Sequence, residues 1–169
     1  MIWLGYLFTI LNYICYCCSR FMKTKKLMLL CDLLAKIFTA LGLYFIGSLS
    51  GAYIFAITFF ELLIANIKEQ KQKNWWLIYL IFQITYIIIL CKTYEGISSI
   101  LVTVTTSITL YSVWWLKPQK MRLIGGFNSI LYLFYQISIR NWSGLLEIFV
   151  IASNFTAFIK YMKASKKYK

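Results

Sequence analysis

The chain has 169 residues, of which 61% are apolar, 19% aromatic and only 14% charged, with a net charge of +13. A charged fraction that low, against about 25% in ordinary soluble domains, excludes a water-soluble globular protein. Apolar runs recur from end to end, each near the ~20 residues a helix needs to cross the hydrocarbon core, and no water-facing segment of domain size remains between them.

Seven spans are expected in chain order. The first, Ile2–Cys18, lacks a basic leader and a small-residue cleavage pattern, so it reads as a retained helix. The others are Leu27–Ile46, Ala52–Ile67, Trp75–Cys91, Ile97–Leu116, Leu123–Ile139 and Ser143–Met162. Arg20, Lys23, Lys25, Lys26, Lys68, Lys71, Lys73, Lys117, Lys120, Arg122, Lys160, Lys163, Lys166, Lys167 and Lys169 fall in one alternate set of loops and the tail. The opposite set holds only Lys92 and Arg140, while Lys36 lies within a span. Such asymmetry predicts an N-terminus outside and a cytosolic C-terminus, in the cytoplasmic membrane. It also explains the positive charge without nucleic acid. Trp75, Trp76, Trp114, Trp115 and Trp142 stand near span ends, as interfacial anchors do.

Two stretches share one design. Ser48–Lys68 opens on an uncharged turn and closes on lysine, and Asn141–Tyr161 repeats that plan 93 positions later, with Ser50-Gly51 echoed by Ser143-Gly144. The expected fold is therefore an all-α membrane protein of seven transmembrane helices in a 3+1+3 parallel repeat. Residues 1–73 form the first three-helix unit, 74–94 the linker helix, and 95–169 the second unit with its basic tail.

Intramembrane ionisable groups mark candidate sites, because each costs about 2.5–3.5 kcal/mol at a helix centre on insertion scales. Asp32 and Lys36 stand one turn apart in the second span, and Glu61 in the third lies at comparable depth. They read either as a self-neutralising cluster that locks two spans, or as a charged cavity lining or proton-coupling pair. Asn128 and Asn154 lie about 9–12 Å in from the basic loops, and Asn154 answers Glu61 across the repeat. They read as a substrate pair at the axis between units, or as hydrogen-bonding glue between helices. Glu147 is seven residues after Arg140, either as a gate with it or as a group near water. The fifth span carries hydroxyls at Ser99, Thr103 and Thr106 on one face.

No nucleophile elbow, phosphate loop or zinc-protease motif occurs, so neither an enzyme nor a cofactor is expected. Histidine is absent, and Cys15, Cys17, Cys18, Cys31 and Cys91 form no metal-ligand spacing. The lipid bilayer is the expected partner, with a small polar solute, a second copy or another membrane protein beside it.

YFIGSLSGA at Tyr44–Ala52, the Thr-rich fifth span leading to MRL at Met121–Leu123, and the run from Trp142 through Glu147 and Asn154 to Lys160 carry a resemblance. On these residues the chain resembles the YgjV-type family of small bacterial inner-membrane proteins. That family is similar to the SWEET, PQ-loop and nicotinamide-riboside carriers, which implies a transporter-like scaffold without naming a substrate. Pro118, the only proline, falls in a predicted loop, so no span has the proline hinge of those carriers; Gly42, Gly125 and Gly126 are the alternative points of flexibility. Two functions are expected from these features: a carrier or facilitator for a small polar solute, or a non-transporting membrane subunit of the assembly-partner or immunity type.

Overall fold

The computed structural model describes residues 2–71 and 75–167, with side chains at 3–71 and 75–163. Seven helices follow one another: α1 Ile2–Arg20, α2 Lys25–Ile46, α3 Leu49–Lys71, α4 Trp76–Lys92, α5 Ile97–Trp115, α6 Pro118–Ser138 and α7 Glu147–Lys167, the last entered through a 3-10 turn at Trp142–Leu146. Lys73 and the tail residues Lys166, Lys167 and Lys169 of the charge tally lie outside the described side chains.

Local chemistry sets the helix ends. Thr24 caps α2 by accepting from the Leu27 amide, and Gly47, at φ 95°, ends it in the left-handed conformation with its N–H on the carbonyls of Leu43 and Tyr44. Pro118 starts α6, where its missing N–H costs nothing.

Neighbouring helices alternate in direction. Gly5 of α1 lies against Gly42 and Ile46 near the far end of α2, while Lys25 at the start of α2 pairs with Glu69 near the end of α3. Ser99 bonds Ser50, so α3 and α5 run parallel, and Tyr161 of α7 bonds the Phe21 carbonyl beside the end of α1. Contacts close the ring α1–α2–α3–α5–α6–α7, with α4 packed outside on α3 and α5. One end of the bundle therefore gathers Arg20, Lys25, Lys68, Arg122 and Lys160.

The pattern of burial is that of a lipid-facing bundle. Met28, Leu29, Ile54, Leu62 and Leu110 fill a core across α2 to α6, yet Arg20, Asp32, Lys36, Glu61, Arg122 and Glu147 are also buried. The outer faces carry Leu30, Leu34 and Ile37 on α2 and Leu77, Ile81, Ile84 and Ile88 on α4. Trp114, expected as an interfacial anchor, is instead a core residue, with Tyr79, Phe82 and the Lys68 ammonium around its ring.

The expectation of seven transmembrane helices in a 3+1+3 repeat is overturned. Among the described residues only four segments are long and apolar enough to cross a membrane: α2, α3, α5 and Trp142–Lys163. At 17 residues α4 reaches about 25 Å, short of the ~30 Å hydrocarbon core. Gln119, Lys120, Arg122, Gly125, Gly126, Asn128 and Gln136 dilute α6, and Tyr6, Thr9, Asn12, Tyr13 and Arg20 dilute α1. The inside–outside assignment counted from seven crossings falls with that expectation. Over the described residues the protein is an all-α bundle of seven helices, with four segments long and apolar enough to span.

Where α6 meets the 3-10 turn, a Cβ on Gly144 would stand 2.3 Å from Gln136 Cβ and 2.7 Å from its Cγ. Neither atom is the free end of a side chain, so the turn itself must move. Gly144→Ala is expected to cost about 1–3 kcal/mol, read as a lowered melting midpoint in detergent.

Candidate functional site

A cavity occupies the middle of the ring, about 740 Å3 of empty space with its open part included. Five helices turn polar side chains into it: Arg20 from α1; Asp32, Lys36 and Thr39 from α2; Thr105, Thr106, Thr109 and Ser112 from α5; Asn128 and Ser129 from α6; and Glu147 and Asn154 from α7. Tyr16, Phe55, Leu62 and Val150 supply its apolar wall.

Asp32 does not pair with Lys36. Its two oxygens accept from Arg20 Nη2 at 2.5 and 2.6 Å, and both residues are buried. Arg20 is there because α1 continues to residue 20 and the hairpin turn to α2 is short. Lys36, one turn further along α2, projects its ammonium over two rings, 4.5 Å from the Phe55 centroid and 5.1 Å from that of Tyr16. Such an aromatic seat holds a cation without neutralising it.

Asn128 donates to the Thr105 carbonyl and to Thr109 Oγ1, both at 2.9 Å, and Asn154 donates to the Val150 carbonyl at 2.9 Å. The donors being used, the side-chain oxygens of both amides are left buried and without a hydrogen-bond partner. Gly125 makes room for one of them: a Cβ there would meet Asn154 Oδ1 at 3.0 Å and Arg20 Nη1 at 3.9 Å. The α5 hydroxyls are largely spent on their own helix, Thr105 and Thr106 on the Val102 carbonyl and Thr109 on that of Thr105.

Of the residues singled out in the sequence, Asp32, Lys36, Asn128, Asn154 and Glu147 thus share one cavity. Glu61 faces elsewhere. It accepts a short hydrogen bond from Tyr86 and so ties α3 to α4, with Thr58 beside it. Arg140 is exposed in the turn after α6, at φ 55°, and makes no ion pair with Glu147, which is buried near Ser129 and Tyr13.

A family model described as Imp-YgjV, bacterial inner membrane protein, matches residues 3–165. The chain belongs to the YgjV family. Its place is accordingly the bacterial inner membrane, crossed more than once, with lipid around the apolar faces. No curated protein and no solved structure matches it. For this YgjV-family chain the match carries no solute, no reaction and no tie to the SWEET or PQ-loop carriers. Among its described residues no three Cys, Asp or Glu side chains gather as a metal ion would require.

Two site residues were not singled out in the sequence. Arg20 counts in the sequence as a loop charge, and Tyr16 carries no signal there. The signal for Arg20 was its spacing from Asp32: across a four-residue turn, the last turn of one helix faces the second turn of the next.

Proposed function

We propose that this YgjV-family protein is a small carrier or facilitator, and not an enzyme, that admits a small polar solute to the central cavity. The supporting observation is the pair of amide oxygens, Asn128 Oδ1 and Asn154 Oδ1, buried in the same cavity with no donor opposite them. Other buried atoms lack partners too, among them Asn12 Oδ1 and Trp114 Nε1 away from the cavity, but these two are amide oxygens that line it, where a partner that comes and goes can reach them. A non-transporting subunit needs no such vacancy; its polar residues would be satisfied in internal pairs.

The test has two parts. In a cysteine-free background, Thr109→Cys is expected to react with a water-soluble maleimide in the folded protein. Proteoliposomes are expected to take up at least one member of a labelled panel of sugars, amino acids, nucleosides and organic acids. Asn154→Ala should lower that uptake about two- to tenfold, the loss of one hydrogen bond, while leaving the melting midpoint within a few degrees of wild type. An unreactive Thr109→Cys, or uptake indifferent to Asn154→Ala, overturns the assignment.

A further inference from the structure

Four charged side chains line the cavity, two of each sign: Arg20 and Lys36 against Asp32 and Glu147. Arg20 and Asp32 neutralise each other directly. Lys36 and Glu147, at 3% and 4% exposure, take part in no ion pair among the described residues. Buried charges without partners are expensive in a membrane, and these two have opposite signs yet do not close on one another. The Lys36 ammonium has aromatic faces but no hydrogen-bond acceptor, and the two amide oxygens have no donor.

These demands define a ligand. An uncharged solute leaves Lys36 and Glu147 each without a direct ion pair, Lys36 in the field of Asp32 and Glu61 and Glu147 beside Ser129 and Tyr13. An anion satisfies Lys36 and leaves Glu147 with a like charge beside it; a simple amine does the reverse. A net-charged guest also leaves the cavity, balanced when empty, with one charge uncompensated. Only a molecule carrying both an anionic group and an ammonium group answers every vacancy, its carboxylate taking the Lys36 ammonium and its N–H groups reaching Glu147 and the amide oxygens of Asn128 and Asn154. Lys36 and Asn128 line the same cavity, so both can meet one small molecule. We propose that the solute is a net-neutral zwitterion of amino-acid type, bound between Lys36 and Glu147. This rests on the carrier reading and narrows it to one class.

The experiment is thermal unfolding of the purified full-length protein with matched probes: neutral α-amino acids from glycine to phenylalanine, the amine left when each loses its carboxylate, the 2-hydroxy acid that replaces its amine, and glucose. A saturating zwitterion is expected to raise the melting midpoint by several degrees, because it binds only the folded state, whereas its amine, its hydroxy acid and glucose do not. The double variant Lys36→Gln/Glu147→Gln removes both charges together, so neither is left alone, and should melt near wild type while losing the shift. Asn128→Ala, which keeps both charges, should weaken the same zwitterion about tenfold or more. Stabilisation by a singly charged or uncharged probe as large as by the zwitterion overturns the class, as does a panel in which no zwitterion acts. A shift that persists in the double variant, or one indifferent to Asn128→Ala, overturns the residues. Thr109→Cys reactivity separates the two layers: a reactive thiol with inert zwitterions removes this inference alone, and an unreactive thiol removes the carrier reading beneath it.

Discussion

Asp32→Ala is expected to destabilise the protein by about 3–5 kcal/mol, the usual result of stranding one member of a buried ion pair. Arg20 would keep its charge at 6% exposure with its direct ion-pair partner gone. Its Nε already lacks a partner, so little remains to share the burden. The pair itself is expected to contribute far less than its breakage costs: Arg20→Met with Asp32→Leu should recover most of the lost stability, since both desolvation penalties disappear with the charges. Unfolding in mixed micelles, run as a double-mutant cycle over the four proteins, checks both statements. A single mutant that melts like wild type would mean that water reaches Arg20 and screens it.

Arg122→Ala carries the second large effect, about 3–5 kcal/mol, from two charge-assisted hydrogen bonds at about 1.5–3 kcal/mol each. Arg122 is 2% exposed, and its guanidinium donates from Nε to the Arg20 carbonyl at 2.9 Å and from Nη2 to the Met22 carbonyl at 2.6 Å. Tyr161, whose ring centroid lies 4.1 Å from the same guanidinium, donates to the Phe21 carbonyl between them. The Arg20 carbonyl at the end of α1, and those of Phe21 and Met22 just beyond it, are thus capped by residues from α6 and α7. Arg122→Lys should restore less than half the loss, because an ammonium cannot span two carbonyls in the fixed geometry of the fork. The same micelle unfolding measures it.

Helix positions were legible in the sequence because hydrophobic run length is a one-dimensional signal: every expected span overlaps a helix, and α2 ends at Ile46 as read. Crossing was not, because the same runs that fold as helices are too short in α4 and too polar in α6 to traverse lipid alone. Depth, too, is one-dimensional. It sets Asp32, Lys36, Asn128 and Asn154, which line one cavity, at similar levels, and it sets Glu61 there as well. Facing is a rotation about the helix axis, and depth does not report it; Glu61 turns toward Tyr86 while Phe55 on the same helix turns to the cavity. Charge misled in one further way. Arg20 and Arg122 obey the loop statistics that orient membrane helices, yet both are buried and hold the bundle together.

The Arg20–Asp32 pair also bears on how the chain enters the bilayer. Synthesis delivers α1 before α2, so its arginine precedes the carboxylate that neutralises it. An α1 that entered lipid alone would carry that arginine without its counter-ion. The two helices must partition together as a single hairpin, its charges already cancelled at the turn, and the later arrival of Arg122 then fastens that hairpin to the rest.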